Sequence, residues 1–305
     1  IGTTNPDPAV GAGNTAKLSV GIVSAYQFYG DGSNLTGAGF SPDSQGNLYA
    51  GCCAGQASDS DTCCNVAIGY KAAYSNCQGD TNVSIGFCAA YSNLSGACNV
   101  SLGQFAGCRY GCASGTNNNN ISIGKHAGSG RPSGAHNIFL GNYAGRNDTG
   151  QTGNYNIGFG YIVLGGVGNH SHNIAMGSQA AADLTDGCYN IVLGQHAAKE
   201  MTTGSSNIAI GCCVMAEGIT TGSNNIALGA NSSKCMTSGN NNIALGAMSL
   251  QCCMSTGCHN VAIGNQAGRK LQNNCNIAIG HCALFGSGGG IGYCNIAIGL
   301  NAGRK

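Results

Sequence analysis

The side chains of this 305-residue chain that could do chemistry are nineteen cysteines, seven histidines and eleven carboxylates. The cysteines include four doublets (Cys52-Cys53, Cys63-Cys64, Cys212-Cys213 and Cys252-Cys253) but no Cys-x-x-Cys. Adjacent thiols are too strained to chelate one ion together, so zinc is disfavoured. His170-Ser171-His172 puts two imidazoles on the same side of an extended segment; in a polar turn such a pair is ordinarily just solvated. Asp183, Asp186, Glu200 and Glu217 are scattered in sequence, and neither a Gly-x-Ser-x-Gly elbow nor a phosphate loop occurs. We therefore expect no enzyme and no cofactor. A polysaccharide depolymerase, its carboxylates paired across turns of a solenoid, is the third reading.

What must position these groups is a repeat. The word Asn-Ile-Ala-Ile-Gly, or a close variant, starts at Asn47, Asn65, Asn82, Asn99, Asn120, Asn137, Asn156, Asn173, Asn190, Asn207, Asn225, Asn242, Asn260, Asn276 and Asn295. Most spacings are 17 or 18 residues, with 16, 19 and 21 as outliers. A period in this range means one supersecondary unit per repeat, stacked because no unit buries its apolar face alone. Aliphatic residues one and three after the Asn flank a small one, as in Ile208-Ala209-Ile210, and this alternation predicts a strand. Gly follows four after each Asn and a small residue seven after it, usually Ala, as at Ala72 and Ala127. That pattern suits a tight corner and a second short segment packed close to the first. The remainder, such as Thr220-Thr221-Gly222-Ser223-Asn224, reads as turn. The fold expected is all-β: a parallel β-solenoid of about 15 turns of 17–18 residues. At about 4.8 Å per turn it would be roughly 70 Å long.

The repeated Asn predicts a ladder of stacked amides that satisfy one another, at Asn65, Asn82, Asn99, Asn173, Asn190, Asn207, Asn225, Asn242, Asn260, Asn276 and Asn295 among others. A row that binds ions or sugar hydroxyls is the alternative. Cysteines share this phasing. Cys235 and Cys252 both lie ten after a repeat Asn in adjacent turns, and Cys275 and Cys294 both lie one before it. Equal phase places such pairs about one strand spacing apart, inside the Cα range of a disulfide. They read as staples between turns, which implies an oxidising, extracellular setting; the alternative is Cys as a small buried hydrophobe.

Charged residues make up 8% of the chain, too few to keep a lone rod soluble. The strands have an Ile face and an Ala face, and a thin roll buries only one of them. We expect the Ala face to be left for other copies, most simply in a threefold bundle; a monomer with an Ala-lined surface is the alternative. A net charge of +1 without long basic runs argues against nucleic acid, and no apolar stretch approaches a membrane span. The chain begins at Ile1 without Met or a signal-peptide pattern, which suggests a processed or partial product. It stops on an ordinary repeat word rather than a polar cap, which points to a following domain or to head-to-tail stacking of subunits.

Residues 1–40 lack the repeat and form an N-terminal segment of their own, ahead of a solenoid domain at 41–305. Within it, Val23-Ser24-Ala25-Tyr26-Gln27-Phe28-Tyr29 runs into Gly30-Asp31-Gly32-Ser33-Asn34-Leu35-Thr36-Gly37. Asp31-Gly32-Ser33-Asn34 has too few carboxylates for a calcium loop and reads as a turn. The segment resembles the shaft repeats of bacteriophage tail fibre proteins. The following repeats are similar to those of phage fibres and to the β-roll heads of trimeric autotransporter adhesins, whose repeat is shorter. This resemblance implies a homotrimeric attachment fibre on a virion tail or outside a cell, contacting a cell-surface glycan or protein. The runner-up is a cellular adhesin or secreted filament subunit assembling head to tail. The resemblance also permits an axial metal held by His170 and His172 from each chain of a trimer.

Overall fold

The computed structural model describes residues 42–108, 117–130, 133–147, 152–218, 220–251, 256–286 and 292–304. The N-terminal segment at 1–40 and its Asp31-Gly32-Ser33-Asn34 turn lie outside the described residues, as does Cys252. The compact unit that holds the repeats spans Phe40–Lys305.

Each repeat word becomes one three-residue strand: β1 Leu48–Ala50, β2 Val66–Ile68, β3 Val83–Ile85, β4 Val100–Leu102, β5 Ile121–Ile123, β6 Ile138–Leu140, β7 Ile157–Phe159, β8 Ile174–Met176, β9 Ile191–Leu193, β10 Ile208–Ile210, β11 Ile226–Leu228, β12 Ile243–Leu245, β13 Val261–Ile263, β14 Ile277–Ile279 and β15 Ile296–Ile298. They form a single parallel sheet in chain order. Equivalent residues pair, as Ile208 with Ile226, Ala209 with Ala227 and Ile210 with Leu228. This is a parallel β-solenoid, and no helix occurs among the described residues.

Rungs this short hold because each turn hydrogen-bonds to the next all round its circuit. The Ile208 amide donates to the Asn225 carbonyl at 2.8 Å, the Gly229 amide to Ile210 at 2.9 Å, and the Ala198 amide to Val214 at 2.7 Å on the far side. Three corners per turn take left-handed backbone, at the residue before the Asn and at those six and eight after it. Tyr189 (φ 61°), His196 (φ 54°) and Ala198 (φ 46°) show all three in sequence. Such conformations are unfavourable for residues with a Cβ and persist where surrounding bonds over-determine them. The Gly four after each Asn is required more strictly. At Gly194 φ is 138°, and a Cβ there would meet the Gly211 carbonyl oxygen of the next rung at 2.2 Å.

The interior is narrow, and that decides which strand face it takes. The middle residue of each strand points inward: Ala67, Ala175, Ala209, Ala227, Ala244, Ala262 and Ala278 are all fully buried. Opposite them lie the residues seven after the Asn, including Ala72, Ala127, Ala180, Val163 and Val214, also fully buried. The Ala-lined exterior expected from the sequence is therefore inverted: small residues fit the thin core, and the flanking aliphatics face outward. The largest of the fully buried side chains enters where its partners shrink. Phe139 sits inside because Gly145 and Gly158 face it, and a Cβ on Gly145 would lie 2.5 Å from its ring.

Candidate interaction surface

The two outward aliphatic rows run side by side along the whole sheet. One holds Val100, Ile121, Ile138 and their equivalents; the other holds Leu102, Ile123, Leu140 and theirs. Most of their residues are half-buried, and Ile85, Phe159, Met176, Ile191 and Ile263 are each more than a third exposed. No charged residue occupies either row.

A third row, formed by the residues just before each Asn, borders this strip. His136, Tyr155, His172 and Tyr189 stack along it with centroid separations of 4.8, 4.9 and 4.8 Å. Rings stacked along the row turn their edges outward, and one strand spacing matches the stacking distance. His172 belongs to this column, whereas His170 is fully buried at the inward position that Gly153, Gly187 and Gly204 hold in nearby turns. The structure thus separates the two imidazoles of His-x-His instead of presenting them together. Among the described residues no group of three or more His, Cys, Asp or Glu is placed to hold a metal ion.

Cys275 and Cys294 occupy consecutive rungs of the same row as exposed thiols. Local desolvation by neighbouring atoms, with Cys294 alongside, pushes the exposed Cys275 thiol up from its ordinary pKa. Cys235 lies instead beside Glu217, its Sγ 3.6 Å from the carboxylate.

Inside the corner runs the Asn column. The Asn190 Oδ1 accepts from the Asn207 amide at 2.9 Å and from its Nδ2 at 3.2 Å, and the Asn207 Nδ2 also donates to the Gly222 carbonyl at 2.9 Å. The pattern recurs along the sheet and leaves the buried amides satisfied by protein. A second side-chain ladder, which sequence reasoning missed, lies two residues before the Asn. There the Ser205 amide donates to the Ser223 Oγ at 3.0 Å, and the Ser223 amide to the Asn240 Oδ1 at 2.7 Å. Its acceptors sit one turn later than its donors, the reverse of the Asn column. The signal available was the recurrence of Ser, Asn, Asp and Cys at that phase.

Charge gathers on another edge of the circuit, nine and ten residues after the Asn. Arg146, Lys199, Lys234, Arg269 and Arg304 share the first phase; Asp183, Glu200 and Glu217 share the second. Carboxylates scattered in sequence are thus aligned, but two are engaged. Glu217 pairs with Lys234 at 2.6 Å, and the Glu200 Oε2 accepts from the Gly218 amide at 2.9 Å. The uncharged aliphatic strip and these phase-aligned ionic residues thus occupy different parts of the circuit.

No helix among the described residues is long and apolar enough to cross a membrane. No family model, curated protein or solved structure matches the chain.

Proposed function

We propose that this protein is a non-catalytic structural fibre of the attachment type, a homotrimer whose three solenoids turn their aliphatic strips toward a common axis. The observation that carries this reading is the strip itself, two uncharged rows running from β1 to β15. Contiguous apolar surface on this scale marks an interaction site, and with a length of roughly 70 Å and a width of about 10 Å it approaches the 800 Å² per partner of stable interfaces. Ionic residues would then face solvent, and the longer polar segments between strands would contact a cell-surface glycan or protein. A fibre of this kind would be displayed on a virion tail or outside a cell.

The test is to charge the strip at its centre. Ile208→Lys, Ile226→Lys and Ile243→Lys together replace outward side chains and leave the inward Ala209, Ala227 and Ala244 untouched. The triple variant should keep the β-sheet circular dichroism of the parent while its native mass falls to that of one chain. An unchanged native mass would refute the strip as the interface.

A further inference from the structure

Three of the four cysteine doublets lie among the described residues, and each ends on a left-handed corner: φ is 60° at Cys53, 59° at Cys64 and 54° at Cys213. In an extended strand successive side chains point to opposite faces, which keeps neighbouring thiols apart. A left-handed second residue turns its Cβ back toward the first. The Sγ atoms of Cys212 and Cys213 are accordingly 3.3 Å apart, and those of Cys52 and Cys53 are 3.4 Å apart. These two doublets occupy one phase, five and six residues after a repeat Asn, so the same corner makes the same contact twice.

Neighbouring turns fix this corner from both sides. The Cys213 amide donates to the Gln195 carbonyl of the turn before at 3.0 Å, and the Cys212 carbonyl accepts from the Asn231 amide of the turn after at 3.0 Å. The peptide that joins the two cysteines is thereby held trans and in place. Cα atoms across a trans peptide are about 3.8 Å apart, under the roughly 4.4–6.8 Å of ordinary disulfides. A bond between the two sulfurs would close a strained ring through that peptide, and strain makes a disulfide easily reduced. Cys212 is exposed and Cys213 partly so. Desolvation, followed by the hydrogen bond with Cys212, pushes the Cys213 thiol up from its ordinary pKa. Cys212, the more accessible of the two, is the thiol that reacts first.

We propose that the Cys212-Cys213 pair, and Cys52-Cys53 at the equivalent corner, are reversible exchange sites for small disulfides and thiols. The Cys212 thiolate attacks one sulfur of a low-molecular-weight disulfide, whose S–S bond breaks; its other half leaves as a thiolate and takes up a proton. The Cys213 thiolate then attacks the Cys212 sulfur of the mixed disulfide and expels the second half in the same way. Two protein thiols and one small disulfide become one ring disulfide and two small thiols, and excess small thiol runs both steps backwards. Cys275 and Cys294 differ, because residues in consecutive turns escape the constraint of a shared peptide. The doublets lie outside the two aliphatic rows, so the exchange does not depend on trimerisation.

The experiment equilibrates the native full-length protein with buffers of graded oxidised-to-reduced glutathione ratio, quenches in acid, alkylates the free thiols and digests with trypsin. Cleavage after Lys199 and Lys234 releases one peptide, Glu200 to Lys234, whose only cysteines are Cys212 and Cys213. In the oxidising buffers this peptide should be recovered unalkylated and two hydrogens lighter than the dithiol. Raising reduced glutathione should return it to the doubly alkylated form. Protein denatured in guanidinium before the same treatment lacks the corner, and its yield of the ring should fall tenfold or more. Cys213→Ser should instead retain glutathione on Cys212 as the mixed disulfide, because no neighbouring thiol resolves it. Double alkylation of the peptide across the whole series would overturn the proposal. So would a ring that forms equally in the denatured chain, or a link from this peptide to another, such as the one that carries Cys235.

Discussion

Asp43 stands to Asn47 as each ladder asparagine stands to the next. Its Oδ1 accepts from the Asn47 amide at 2.8 Å and its Oδ2 from the Asn47 Nδ2 at 3.1 Å, taking the place of the asparagine one turn earlier. The amide bond from Asn47, with further bonds from its side chain and from Gln45, holds the Asp43 carboxyl below its ordinary pKa. A depressed carboxyl contributes stability that is complete above its unfolded pKa, about 3.9, and is lost as pH falls through the lower folded value. The first rung should therefore fray in acid before the central ones. Hydrogen-exchange protection factors at Asn47 and Leu48 should drop below pH 4 while those at Ile208 and Ile226 hold, and Asp43→Ala should leave the first rung less protected at every pH and abolish its pH dependence. Equal loss of protection in both regions would show that Asp43 does not cap the column.

Removing one asparagine from the middle of the column should be costly because it strands groups on both sides. In Asn207→Ala the Asn225 amide and Nδ2 lose their acceptor, and the Gly222 carbonyl loses a donor. Unsatisfied buried groups of this kind cost about 1–3 kcal/mol each, so a loss of about 2–4 kcal/mol is expected after relaxation. Chemical denaturation of the variant measures it; a loss below about 0.5 kcal/mol would mean the ladder is decorative.

Phe139 and its glycines form a size-compensated set. A Cβ on Gly158 would lie 3.1 Å from the Phe139 ring and 3.0 Å from Val163. Gly158→Ala should destabilise by roughly 1–3 kcal/mol through overpacking, and Phe139→Ala by roughly 3–5 kcal/mol through the cavity. The informative measurement is the double variant. In the Phe139→Ala background the extra methyl fills space, so Gly158→Ala should be neutral or stabilising, and additive costs would argue against a shared void.

Cys275 and Cys294 share one row in consecutive rungs, and we expect an inter-turn disulfide between them when the protein is oxidised. Peptide mapping without reduction should recover the two as one linked species. If both carry independent alkyl labels after oxidation, the staple is absent.

The strands, their parallel order and their boundaries were legible because the Asn, the Gly four later and the alternation between them all carry one period. Which face turns inward was not. Alternation marks two faces but not the width of the core, and it is the short circuit, with left-handed corners at positions such as His196 and Ala198, that leaves room for Ala209 and none for Ile208. The same limit applies to His170-Ser171-His172. Two residues apart in an ideal strand share a side, but a corner at His172 (φ 59°) turns the chain between them. Asp183, Glu200 and Glu217 lie 17 residues apart, so period alone predicts their alignment. Their engagement by Lys234 and Gly218 depends on side-chain reach, which spacing does not encode.

The central claim is that the outward aliphatic strip is covered by other copies of the chain. Sedimentation equilibrium of the native protein at micromolar concentration tests it most directly. The account predicts a particle of three chains of 30.4 kDa each, or a multiple of that trimer. A stable species of one 30.4 kDa chain, soluble with the strip bare, would contradict it.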